Sequence, residues 1–80
     1  MELNEIFKVI VSSVCEVIPE LEDHDFKHSD SLKDLGADSV DRSEILMLTL
    51  ESLSINAPVV AFHGPKNLGE LARVIHEKQS

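Results

Sequence analysis

Leu3, Ile6, Phe7, Ile10, Val11, Val14 and Ile18 recur at steps of three and four, the spacing of one face of an amphipathic helix. Glu2 and Glu5 lie near its start, where negative charge suits the positive end of the helix dipole. Pro19 lacks an amide proton and disfavours helical geometry at the residue before it, so this helix is expected to stop at Ile18. Its large aliphatic side chains are core candidates, each contributing roughly 1.5–3 kcal/mol on full burial before entropy is subtracted.

From Pro19 to Ala37 the periodicity lapses. Glu20, Glu22, Asp23, Asp25, Asp30 and Asp34 make the stretch acidic, while Leu21, Phe26, Leu32 and Leu35 are spaced apolar anchors. The pattern predicts a long ordered loop pinned by those four side chains, because an unanchored loop of this length is unusual in a small fold. Ser31-Leu32-Lys33-Asp34 resembles a capping arrangement and places one helical turn just before Gly36. His24 and His28 stand among the carboxylates and raise the question of a metal site. No Cys pair, His-Glu-x-x-His or calcium-loop spacing accompanies them, so the stretch reads as a solvated acidic loop.

Gly36 permits a turn that other residues resist, and Asp38 is a good N-cap. A second helix is expected from Asp38 to about Ile55, with Ser39 at its mouth and its hydroxyl facing solvent. Ile45, Leu46 and Leu53 form a core stripe at 100° per residue, with Thr49 between them. Val40, Met47 and Leu50 form a second apolar group bordered by Ser43, Glu44 and Glu51. That group is either buried between other helices or left exposed for a partner, a role that suits a flexible Met.

Asn56-Ala57-Pro58 ends this helix. Val59, Val60 and Phe62 make a short apolar segment before Gly64-Pro65. Asn67 reads as the N-cap of a last helix, with Glu70 three residues on and Leu68, Leu71, Ala72 and Ile75 at helical spacing. His76 to Ser80 is expected to fray.

Eighty residues with no Trp or Tyr make a single domain, 1–80, packed by aliphatic side chains and too small for a deep catalytic cleft. The formal charge of −8 disfavours nucleic acid and anionic membranes and favours partners with basic patches. A lone Cys15 forms no internal disulfide, and on the inner half of the first helix it reads as a small buried hydrophobe. No basic-apolar leader and no run long enough to span a bilayer is seen, which gives a cytoplasmic expectation. Ser39 is no hydrolase nucleophile on this reading. Asp41 stands where a nucleophile elbow needs its second Gly, and no β-rich run precedes it. A small bundle also hardly provides an oriented base and an oxyanion hole, so the chain is expected to be non-catalytic.

Leu35-Gly36-Ala37-Asp38-Ser39-Val40, followed by Glu44, resembles the Asp-Ser-Leu attachment motif of acyl carrier proteins, and the likeness extends over nearly the whole chain. The resemblance implies an all-α, small four-helix bundle, three helices long and one short. The short one falls in the apolar segment of Val59, Val60 and Phe62, whose side chains are either plain core or candidate lining for an acyl chain. It also implies 4'-phosphopantetheine, derived from coenzyme A and esterified to Ser39, with Asp38 as the helix cap beside it. Val40, Arg42, Ser43, Glu44, Met47, Leu50 and Glu51 are the implied partner-recognition residues. Arg42 and Ser43 depart from the usual family pattern. Arg42 is open to several uses: a solvated surface position, a contact to the prosthetic phosphate, an ion pair with Asp38, Glu44 or another carboxylate, or a partner contact. Asp38 to Ile45, with Ala57-Pro58 and Gly64-Pro65-Lys66-Asn67, is most similar to the free-standing donor carriers of polyketide β-branching cassettes. Such a donor presents acetyl, made by decarboxylating malonyl, to a hydroxymethylglutaryl-synthase-like enzyme. The implied partners are that enzyme, a phosphopantetheinyl transferase, an acyltransferase and a decarboxylating ketosynthase-like enzyme, visited by a monomeric carrier. A general fatty-acid carrier and an unmodified helical interaction module, with Ser39 as an ordinary cap residue, are the competing readings.

Overall fold

A computed structural model describes residues 2–79. Three α-helices carry the architecture: α1 (Leu3–Val17), α2 (Ser39–Ser52) and α3 (Leu68–Gln79), and no strand is present among the described residues. Two short 3-10 turns, Pro19–Leu21 and Val59–Phe62, stand in the connections. The expected fourth, short α-helix is therefore corrected to a 3-10 turn of four residues. Pro58 just before it and Gly64-Pro65 just after it leave too few residues to close successive α-helical bonds.

α1 ends where Pro19 dictates. The Ile18 amide donates to Val14 O at 2.8 Å, and Ile18 itself leaves helical geometry. Ile6, Ile10 and Val14 are completely buried. They pack with Ile45, Leu46 and Leu50 of α2 and with Leu68, Leu71, Ala72 and Ile75 of α3 in one core. α1 lies against both other helices, and the Val59–Phe62 turn lies against both α2 and α3. Among the described residues two polar side chains are buried. Thr49 donates to Ile45 O at 2.8 Å and Ser13 to Val9 O at 3.0 Å, so each hydroxyl is satisfied within its own helix.

The acidic loop is ordered by more than its four apolar anchors, all of which pack against the core. The Leu68 amide donates to Asp30 O at 2.8 Å, the Gly69 amide to His28 O at 2.9 Å, and the Glu70 amide to Asn67 Oδ1 at 2.8 Å. The loop backbone thus caps α3, satisfying amides that a helix start otherwise leaves open. His28 stacks on Phe7 with ring centroids 4.3 Å apart, and His24 Nε2 lies 3.0 Å from Asp30 Oδ2. Both histidines are thereby structural contacts of the loop. α3 continues as helix to Gln79 instead of fraying from His76, and Ser80 lies outside the described residues. No helix among the described residues is long and apolar enough to cross a membrane.

Candidate functional site

The approach to α2 is a tight reversal. Ser31 Oγ accepts the Asp34 amide at 3.0 Å, as the capping arrangement predicts. The Leu35 amide then donates to Ser31 O, Gly36 to Lys33 O and Ala37 to Leu32 O, all within 3.1 Å. Gly36 sits at φ +94°, a left-handed value that closes this turn without a Cβ clash. Ala37 is buried beside the core, and it pins the chain immediately before two exposed residues, Asp38 and Ser39.

Asp38 caps α2 through Oδ1, which accepts the Asp41 amide at 2.9 Å. Asp41 returns the contact, its Oδ2 accepting the Asp38 amide at 3.4 Å. This reciprocal box was legible in the Asp-x-x-Asp spacing but was not among the expectations, which gave Asp41 no capping role. Ser39 is the first helical residue, exposed, and takes no part in the box. The Ser39 and Val40 amides belong to the first turn and have no intrahelical acceptor. An exposed hydroxyl, two free amide donors and the positive end of a helix dipole fit an anionic phosphodiester on Ser39. The flanking carboxylates of Asp38 and Asp41 oppose that charge but are partly engaged by their capping amides.

The structure divides the expected partner-recognition residues. Val40, Glu44, Met47 and Glu51 fall within a roughly 60° arc of α2 at 100° per residue. All four are exposed, Val40 by 64% and Met47 by 57%. Ser43 borders them, half-buried. Leu50 is a correction. It is buried to 4% exposure, because it packs in the core, and its carbonyl accepts the Ile55 amide at 2.9 Å. Arg42 is also displaced from that face. It projects from the opposite side of α2, half-buried, and lines a cleft together with Leu46 and Phe62. Among the described residues Arg42 forms no ion pair, so neither Asp38 nor Glu44 neutralises it. Of the expected lining side chains only Phe62 reaches the cleft. Val59 is half-buried against the core and Val60 is 76% exposed.

Cys15 remains a poor nucleophile. Partial burial, and then the negative charge of Glu22, raise its thiol pKa, and Sγ lies 3.8 Å from Leu21 O. His24 and His28 are committed to Asp30 and Phe7, and no group of three or more metal-ligating side chains gathers among the described residues.

Residues 7–75 match the family described as "Phosphopantetheine attachment site", a span that includes Ser39 and its whole setting. The chain is 49% identical over 78 residues to the polyketide biosynthesis acyl-carrier-protein AcpK of Bacillus subtilis (strain 168), covering 98% of this chain and 95% of that one. Its structure also superposes on a chain of a crystal structure of the curacin biosynthetic pathway HMG synthase in complex with acetyl donor-ACP. That match has a TM-score of 0.90 at 45% identity and covers 94% of this chain and 96% of the other. These relatives are carriers rather than catalysts, and a capped helix presenting a free serine is the local structure such a carrier requires. The chain belongs to the family of acyl carrier proteins, whose cargo rides on phosphopantetheine.

Proposed function

We propose that Ser39 is the attachment residue and that the chain is a monomeric, cytoplasmic donor carrier for polyketide β-branching. Ser39 is esterified by a phosphopantetheinyl transferase using coenzyme A. An acyltransferase supplies malonyl, a decarboxylating ketosynthase-like enzyme converts it to acetyl, and a hydroxymethylglutaryl-synthase-like enzyme takes the acetyl. The prosthetic group supplies the thiol that holds the acyl thioester, which Cys15 is poorly placed to do. The chain's own residues do the rest. Asp38 and Asp41 fix the start of α2, Ala37 and Gly36 set the approach, and Ser39 is held clear of the core. Val40, Glu44, Met47 and Glu51 present an apolar-acidic stripe to the partner, with Ser43 at its edge. The enzymes visited perform the chemistry, while the tether raises the local concentration of cargo at each of them.

The observation that carries this reading is the exposed, uncommitted Ser39 at the mouth of a doubly capped helix, within a chain so similar to the acetyl donor in its complex. Incubation with coenzyme A and a competent transferase, followed by mass measurement, is expected to add one arm to the chain and none to Ser39→Ala. An unmodified wild-type chain would reduce it to an interaction module. Acetyl transfer to the synthase is then expected to exceed that from a general fatty-acid carrier, and equal transfer would remove the specialised donor role.

A further inference from the structure

The cleft between α2, the 31–33 turn and the 62–68 segment has a charge unlike the rest of the molecule. The chain holds 15 carboxylates and only seven Lys and Arg. Yet Lys33, Arg42, His63 and Lys66 all line this one cleft, and no Asp or Glu does. Its apolar floor is Leu46, Phe62 and Leu68, all buried. Among the described residues no carboxylate forms an ion pair with Lys33, Arg42 or Lys66. In a strongly acidic molecule, three full cations collected without counter-charges around an apolar floor form a site for a small anion. The volume of about 360 Å³ is at the low end for ligand sites, roughly 300–1,000 Å³. Along α2 the cleft is lined by Arg42 and Leu46, one and two turns on from Ser39.

We propose that this cleft holds the free carboxylate of a short dicarboxylic acyl group, malonyl, carried at Ser39, and does not hold acetyl. The inference rests on the loading at Ser39 proposed above. Lys33, Arg42 and Lys66 attract the carboxylate, and the floor accepts the short methylene and carbonyl portion. Decarboxylation removes the carboxylate as carbon dioxide and leaves a proton in its place, so the electrostatic attraction ends. Undecarboxylated cargo is retained against the carrier, and acetyl is free to leave with the arm. The cleft is a check on cargo chemistry built into the donor.

Backbone amide NMR spectra of the full chain, loaded from the corresponding coenzyme A thioesters, test this directly. The forms compared are holo, acetyl, butyryl and malonyl, butyryl having a similar length to malonyl without its charge. Relative to the holo form, the amides of Leu32, Lys33, Arg42, His63 and Lys66 are expected to shift in the malonyl form and to stay in place in the acetyl and butyryl forms. Those shifts are expected to shrink with added salt, and to be lost in Arg42→Gln and in Lys66→Gln, which leave the apolar floor intact. Superposable malonyl and butyryl spectra at these residues overturn the proposal. Equal displacement of these amides between the unmodified apo chain and the holo form also overturns it, since the cleft would then hold the phosphodiester. A failed loading step appears as a missing mass increment, which is failure at Ser39 and not of the cleft. Loss of acetyl transfer with the malonyl shifts intact would count against the donor role alone.

Discussion

α1 and α2 are nearly equal in length, 15 and 14 residues, and both contribute to one core, yet they spend their apolar residues differently. α1 exposes no large hydrophobic side chain, and its apolar arc is matched to the two helices it packs against. α2 buries Ile45, Leu46, Thr49 and Leu50 on one side and leaves Val40 and Met47 in water on the other, beside Glu44 and Glu51. Full burial of either exposed side chain would contribute about 1.5–3 kcal/mol, which folding alone does not recover. α1 is therefore scaffold on every face that is apolar, whereas α2 is scaffold on one side and on the other presents the exposed apolar-acidic stripe proposed above to meet the partner.

The largest expected difference between the helices is thermodynamic. Ile10→Ala and Leu50→Ala each empty part of the core and are expected to lower stability by about 2–5 kcal/mol. Met47→Ala, on the exposed stripe, is expected to change it by no more than about 0.5 kcal/mol while slowing acetyl transfer. Denaturant midpoints with unchanged slopes check the first pair. A Met47→Ala chain that transfers acetyl normally would break the assignment of that stripe.

Gly69→Ala tests how α1 is tied to the start of α3. An added Cβ would lie 2.9 Å from the His28 Cβ and 3.2 Å from the His28 carbonyl, and His28 is stacked on Phe7 of α1. Overpacking of this kind is expected to cost about 1–3 kcal/mol, visible as a lower thermal midpoint. The two ends of α2 respond in opposite directions. Gly36→Ala puts a side chain at φ +94° and is expected to cost about 1 kcal/mol. Ser54 already occupies φ 56° in the turn that closes α2, so Ser54→Gly is expected to gain about 0.5–1 kcal/mol.

The smallest effect concerns pH. The Lys27 amide, and after it the hydrogen bond from His24, hold the Asp30 carboxyl below the usual carboxylate range. Its native pKa is lower than its unfolded one, so its stabilising contribution is complete above the unfolded value and is lost as pH falls through the native value. Asp30→Asn is expected to flatten this part of the acid limb in a stability-against-pH series. An unchanged acid limb would show that the loop's hold on α3 rests on the backbone carbonyls of Asp30 and His28 alone.

Local chemistry made much of this legible. Helical spacing marked α1 to within one residue, Pro19 marked its end, Asp38 and Asn67 marked two helix starts, and Gly36 marked the reversal before Ser39. Such signals act over a few residues of chain, so the order of the sequence contains them. The short segment at Val59–Phe62 was harder, since an apolar run of four residues suits a 3-10 turn as well as an α-helix.

The sequence by itself determined the helices, their caps and the serine at the mouth of α2, because backbone sterics and hydrogen bonding are decided between near neighbours. Only the tertiary structure decided that Leu50 joins the core while Met47 does not, whereas helical spacing alone already sets Arg42 on the side of α2 away from the exposed stripe. The tertiary structure alone gathered Lys33, Arg42, His63 and Lys66, which come from three separate segments, around one cleft free of carboxylates. Burial and charge complementarity depend on what the rest of the chain brings to the opposite side, and no local pattern of residues records that.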